Sequence, residues 1–341
     1  MLYGIAAATA ALLLAAVLAA ALRLPALRAG ILDRRRQRPL PLLGGLAVVV
    51  VTCLVAGMGE WTRVAPLGQG VGRLLVVAAG VAGLGLVADV WRLRARVLVT
   101  GTAVAAAWVV PYDETGVPGG LLAIGWIVVA TLAFKGLDHA DGLAGTVGVV
   151  TAFGAGACAA AEVMDGLAVL LSVVAAALTG FLMHNWHPAR VGLGACGSLF
   201  TGFVLSSSVV FTRAGYAIGP SAAVVFCLGA VAVADALLVV LARGVARRPL
   251  LRRGPDHLAH RMRWLGLTPQ GSVVLLGAAS FSSVLVGVLV HAGWTGDGAA
   301  LWVAGAVLAV VLVLVLLRMP VQQPRRTAST QVSGSLRVRN G

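Results

Sequence analysis

The sequence predicts an all-α integral membrane protein, a bundle of about eleven transmembrane helices with the N-terminus outside and the C-terminus in the cytoplasm. Three observations carry that expectation. The 341 residues are 60% hydrophobic and only 11% charged, with a mean hydropathy of +0.97, too apolar for a soluble domain to cover its surface with polar groups. Apolar runs of about 17–25 residues, the length a helix needs to cross the hydrocarbon core, recur along the chain. Basic residues collect in alternate connections between those runs.

The first run, 2–22, lacks the basic start of a cleavable signal peptide and reads as a retained span. The others fall at 41–58, 70–88, 97–111, 120–134, 144–162, 166–183, 197–212, 220–242, 271–291 and 299–317, with 97–111 the weakest. Glycine and alanine are abundant inside them, which lets helices approach closely. With the N-terminus outside, the inner segments are 23–40, 89–96, 135–143, 184–196, 243–270 and the tail from Arg318. They hold 6, 3, 1, 1, 7 and 5 basic residues, 23 of the chain's 26; only Arg63, Arg73 and Arg213 remain for the outer side. Cytoplasmic loops are enriched in arginine and lysine, so this asymmetry sets the orientation.

Residues 1–319 therefore form one membrane domain. Residues 320–341 form a polar, basic tail, expected to be disordered in the cytoplasm against anionic headgroups. The net charge of +14 is a topology and lipid-contact signal, not a nucleic-acid footprint, because the basic residues sit in short clusters flanking spans. Cys53, Cys158, Cys196 and Cys227 lie in or beside apolar runs without paired spacing and read as small buried hydrophobes. No internal repeat is visible, which argues against an inverted-repeat transporter.

The carboxylates of the inner face are Asp89, Asp138, Asp141, Asp235 and Asp256. Five of the six histidines, His139, His184, His187, His257 and His260, share that face. Groups of this kind converging from different spans suggest a site at the cytoplasmic boundary. The plain alternative for each is a solvated loop residue. Asp235, inside VAVADALLVVLAR, fits that alternative least, since a carboxylate within a span costs about 2.5–3.5 kcal/mol.

At 180–202 the segment GFLMHNWHPARVGLGACGSLFTG resembles the hallmark of the polyprenyl-phosphate N-acetylhexosamine-1-phosphate transferases. These membrane enzymes include phospho-N-acetylmuramoyl-pentapeptide transferase and the undecaprenyl-phosphate N-acetylglucosamine-1-phosphate transferases. Their pattern, G-F-L-x-x-N-x-x-P-A-[KR]-x-x-x-G-D-x-G-S-L, is matched at Gly180, Phe181, Leu182, Asn185, Pro188, Ala189, Arg190, Gly194, Gly197, Ser198 and Leu199. Further pieces follow the family's order. DRRRQRPLPLLGGLA resembles its first inner loop, GLVADVWRLRAR its Asp-Asp segment, and GLDHADGLAG its N-x-x-D-G-x-D-G-L-A. Asp235 with Arg243 resembles a later Asp–Arg element, and PDHLAHRMRW the D-x-L-H-H-R-L loop after it. The resemblance spans about residues 30–275 and fits the eleven-span N-acetylglucosamine branch.

The resemblance implies a Mg²⁺-dependent exchange at a bacterial cytoplasmic membrane. A polyprenyl phosphate attacks the β-phosphate of a UDP-sugar, releasing UMP and leaving a lipid-linked diphosphosugar for cell-envelope glycan synthesis. It also implies roles for residues here. Asp89, Lys135, Asp138 and Asp141 would line the diphosphate or metal position, with Asp89 and Asp138 the remaining metal ligands. Asn185 would support the sugar-nucleotide side; Asp235, Arg243, His257 and His260 would complete substrate binding at the phosphates.

The departures fall on the chemistry. The first Asp of the Asp-Asp pair is Ala88, and the metal-holding Asp of G-D-x-G-S is Ala195. The asparagines before the acidic loop are Leu132 and Lys135, the glycine between its aspartates is altered to His139-Ala140, and one histidine of the last loop is Ala259. Mg²⁺ is usually held by one or two carboxylates plus waters and phosphates, and phosphoryl transfer rests on positioning and charge neutralisation. Losing ligands and adding the chain's only lysine argues for a catalytically silent member that binds polyprenyl phosphate, a membrane-protein partner or a second copy of itself. An active transferase with a rebuilt site, Lys135 standing in for part of the metal's charge, is the other reading, with a transporter the third. A snorkelling Lys135, its stem in lipid and its amine at the headgroups, is the bland account of that residue.

The charge asymmetry makes a direct prediction. A reporter fused after Gly341 reads cytoplasmic and one placed within 112–119 reads outside; both on one side would mean a miscounted span.

Overall fold

The computed structural model describes residues 2–33, 39–91, 93–247, 254 and 256–317. The basic run 34–38, Arg92, residues 248–253 and the tail expected at 320–341 lie outside the described residues.

Twelve helices account for nearly all of it: α1 (Leu2–Arg28), α2 (Gly44–Trp61), α3 (Gly68–Val90), α4 (Ala95–Val109), α5 (Tyr112–Leu137), α6 (Leu143–Ala161), α7 (Asp165–Asn185), α8 (Gly194–Thr212), α9 (Ile218–Val245), α10 (Leu258–Trp264), α11 (Pro269–His291) and α12 (Gly298–Leu316). A two-residue antiparallel pairing, β1 (Leu32–Asp33) with β2 (Leu40–Pro41), closes the connection between α1 and α2. Ten of the helices are long and apolar enough to cross a membrane. The protein is an all-α, multi-pass membrane protein.

The expected spans map onto these helices in order, with three differences. The run at 97–111 is the 15-residue α4, about 22 Å long and shorter than the hydrocarbon core. Residues 112–119 are not a loop but the first turns of α5, broken at Gly116 (φ 65°, ψ 173°), with Asp113 and Glu114 at the positive end of the helix. The inner connection 243–270 contains the last turn of α9 and the whole of α10.

The bundle is built around α8. All 19 of its residues are buried, with α2, α3, α5 and α6 packed against it. The composition GACGSLFTGFVLSSSVVFT suits that position. Small residues admit neighbouring backbones, and two of the serines bond within the helix: Ser198 Oγ donates to the Gly194 carbonyl at 2.6 Å and Ser206 Oγ to that of Gly202 at 2.7 Å. At the other extreme, α12 turns Leu301, Trp302 and Leu316 outward, as a lipid-facing helix does. The cysteines are free, and three of the four are buried.

One end of the bundle is held by a polar knot. Tyr216 donates its hydroxyl to Glu162 Oε1 at 2.6 Å, and His291 Nε2 lies 3.2 Å from that same oxygen. Arg213 Nη1 sits 3.2 Å from His291 Nδ1, its guanidinium 3.9 Å from the centre of the Tyr216 ring. These residues close the ends of α6, α8 and α11. The acids and histidines expected at the inner face lie at the opposite helix ends.

Helices α2 and α8 meet backbone against backbone. A Cβ on Gly45 would lie 2.0 Å from the Leu193 carbonyl oxygen and 2.5 Å from the Gly197 backbone, so neither helix can yield without moving. Gly45→Val is expected to cost about 3 kcal/mol through overpacking, seen as a lower melting temperature in detergent. Gly57→Val, with no atom within 4 Å of its Cβ position, leaves that temperature unchanged.

Candidate active site

The first backbone N–H groups of any α-helix have no partner within it. In α8 those groups are buried, and its N-cap residue, Leu193, has no side-chain acceptor. Two other helices supply the caps. Asp89, in the last turn of α3, accepts from the Ala195 N–H at 2.8 Å with Oδ1 and from the Cys196 N–H at 2.9 Å with Oδ2. Asp138, at the end of α5, accepts from the Gly194 N–H at 3.0 Å. Gly194 has φ +68°, and a Cβ there would meet Asp89 Oδ2 at 2.7 Å, so glycine serves both backbone and approach.

Beside this cap the α5–α6 and α7–α8 turns are pinned together. Asp141 Oδ2 accepts from His187 Nδ1 at 2.9 Å and from the Ala189 N–H at 3.1 Å. Asn185 is buried with both ends of its amide engaged: Oδ1 accepts from the Gly142 N–H at 2.9 Å, and Nδ2 donates to the Val191 carbonyl at 2.8 Å. Through these two bonds Asn185 ties the α5–α6 turn to the α7–α8 turn. Lys135 is half-buried in the last turn of α5.

A second cluster forms around Asp235 of α9, 1% exposed. Its Oδ2 is 2.8 Å from His257 Nδ1, and its Oδ1 accepts from the Leu258 N–H at 2.8 Å, the first residue of α10. The His139 ring stacks on His257 with centroids 4.3 Å apart and planes 18° from parallel, and His260 lies 5.1 Å from His139. His139 Nδ1 is 2.8 Å from the Gly136 carbonyl. Burial, with His257 and His260 adding to it against the opposing pull of Asp235, pushes the His139 imidazole down to about 3, so the ring is neutral at physiological pH. Arg243 donates from Nε to Asp256 Oδ2 at 3.0 Å, tying the end of α9 to the approach to α10.

The residues singled out in the sequence thus divide. Asp89 and Asp138 meet at α8, with Asp141 and Asn185 on the adjoining turns; Asp235, His257 and His260 gather at α9 and α10, with Arg243 paired to Asp256. Sequence reasoning placed His139, His187 and Asp256 on this face but not in the site, and each partners a site residue. The signal was there for His139, an imidazole set between two aspartates.

Comparison with known proteins agrees with the motif order. Residues 72–213 match the profile of the family described as glycosyl transferase family 4. The "putative glycosyltransferase" of Streptomyces coelicolor is 63% identical over 330 residues, covering 96% of this chain and 80% of that protein. The decaprenyl-phosphate N-acetylglucosaminephosphotransferase of Mycobacterium tuberculosis is 28% identical over 80% of this chain and 82% of its own. The phospho-N-acetylmuramoyl-pentapeptide-transferase of Rubrobacter xylanophilus is 29% identical over 74% and 83%. The chain belongs to the glycosyl transferase family 4 group, the polyprenyl-phosphate N-acetylhexosamine-1-phosphate transferases.

Proposed function

We propose that this chain is a plasma-membrane member of the family that retains the frame for a polyprenyl phosphate at its cytoplasmic face but no longer transfers a sugar 1-phosphate from a UDP-sugar. Relatives act on polyprenyl phosphates and sugar nucleotides, and the family is generally metal-dependent. The observation that carries the reading is the engagement of Asp89 and Asp138 by the N-terminus of α8, with the Ala195 methyl in its first turn.

A helix N-terminus carries a partial positive charge, which favours anions and disfavours a cation. A carboxylate at position 195 would offset that charge and add an oxygen ligand; a methyl group does neither. Lys135 adds a further positive charge at the end of α5. The donors present therefore do not fit the family's Mg²⁺. What remains to attract a lipid phosphate is basic charge at the headgroup level, Lys135 at the end of α5 among it. A non-catalytic role of this kind calls for a membrane-protein partner or a second copy of the chain.

The decisive assay is UMP release by purified protein from several UDP-sugars, with and without Mg²⁺ and undecaprenyl phosphate. The expected result is no release above background, with undecaprenyl phosphate still bound. Release dependent on both additions would end the silent-member reading.

The cap itself is tested by stability. Asp89→Ala strands two backbone N–H groups at about 1–3 kcal/mol each, whereas Asp89→Asn keeps one acceptor. Melting temperatures in Mg²⁺-free detergent should fall in the order wild type, Asn, Ala. A carboxylate kept only for a metal would show no such order.

A further inference from the structure

We propose that His139, His257 and Asp235 form a binding site for a borderline divalent cation of the Zn²⁺ class, separate from the Mg²⁺ position of the family reaction. One donor atom from each of the three lies within 4.8 Å of the others. To close on one ion, one of the two imidazoles turns out of the His139–His257 stack.

The state of each donor is readable. A carbonyl only accepts, so the 2.8 Å contact to Gly136 makes His139 Nδ1 the N–H and leaves the lone pair on Nε2. That Nε2 is buried and has no hydrogen-bond partner. A buried lone pair with nothing donating to it, on a ring packed against a second imidazole and close to a carboxylate, is what an ion would complete. Its Nδ1–H bond to a carbonyl is also the outer contact that fixes the ring of a metal-bound histidine. Asp235 offers a carboxylate oxygen held in place by the Leu258 N–H. His257 Nδ1 faces Asp235 Oδ2 at 2.8 Å. Coordination there replaces the N–H···O bond by N–metal–O, and the imidazole proton leaves to solvent.

The donor set selects the ion. Two imidazole nitrogens and one carboxylate suit Zn²⁺, Co²⁺ or Ni²⁺, whereas Mg²⁺ prefers an all-oxygen shell. Three protein ligands leave a fourth position open, with the His260 ring 5.1 Å from that of His139. His139 stands at a glycine position of the family motif, so one donor of this set is not a motif residue. Asp235 and His257 are shared with the substrate side that the family resemblance implies, and metal binding is measurable without the transferase reaction.

The test is a Co²⁺ titration of tag-free, full-length protein in detergent, followed by visible absorption and reversed by Zn²⁺. One equivalent is expected, with the intense bands of low-coordinate Co²⁺, unaffected by millimolar Mg²⁺. His139→Gly and, separately, His257→Gln should each weaken binding at least tenfold, as loss of a metal ligand or its support does. His184→Gln should leave it unchanged. Size-exclusion profiles report folding, and if one variant fails to fold the other carries the comparison. Absence of stoichiometric binding to the wild type, displacement by Mg²⁺ at comparable concentration, or full affinity in a folded variant of either histidine would each overturn the proposal.

Discussion

The structure depends on how the N-terminus of α8 is satisfied. A helix with all 19 residues buried needs partners for its first N–H groups. Leu193 offers no cap, so acceptors come from elsewhere: both oxygens of Asp89 and one of Asp138. These contacts join α3, α5 and α8 at one level, and the acidic turn after α5 follows from them. Asp141 and Asn185 extend the same scheme by binding the turns on either side.

This dual engagement gives Asp89 and Asp138 a structural role beside any part in metal binding. Were Asp89 and Asp138 only ligands, replacing their neighbours with Ala88 and Ala195 would remove the reason to keep them. As caps they retain a structural role that alanine cannot fill. A matched motif residue is therefore weak evidence for retained chemistry when its side chain also terminates a buried helix. The missing residues, which have no structural duty in this arrangement, say more about activity than the ones that remain.

Much of the architecture was legible in the sequence because a bilayer imposes a strong, one-dimensional constraint: apolar length. The runs at 70–88, 166–183 and 271–291 correspond to α3, α7 and α11 within a few residues. Hydropathy fails where polar residues are helical. It placed Asp113 and Glu114 in a loop although they open α5, and it missed α10 because LAHRMRW carries no apolar run. The start of α8 at Gly194 instead of 197 escaped for a different reason: its caps lie about a hundred and about fifty-six residues away in sequence. At the site, charge type and face were readable, but partnership was not. Nothing in the spacing says that Asn185 turns its amide to Gly142 and Val191, or that Asp256 pairs with Arg243.

Asp235 shows how the cost of a charge in a span is met. A carboxylate within a membrane helix is unfavourable by a few kcal/mol, yet here it is almost fully buried. Two donors from outside the span offset that cost: His257 through its ring and Leu258 through its backbone. Both belong to the start of α10, so the charge in α9 is what fixes this short helix against the bundle. His139 then stacks on His257 and brings the acidic turn into the same contact. The two clusters are consequently not independent. Residues 138 and 139 are adjacent in the chain, one capping α8 and the other packed against the His257–Asp235 pair. A shift of the α5–α6 turn that loosened the α8 cap would also unstack His139. The inner face is thus mechanically one unit, assembled from acids that each answer a burial problem.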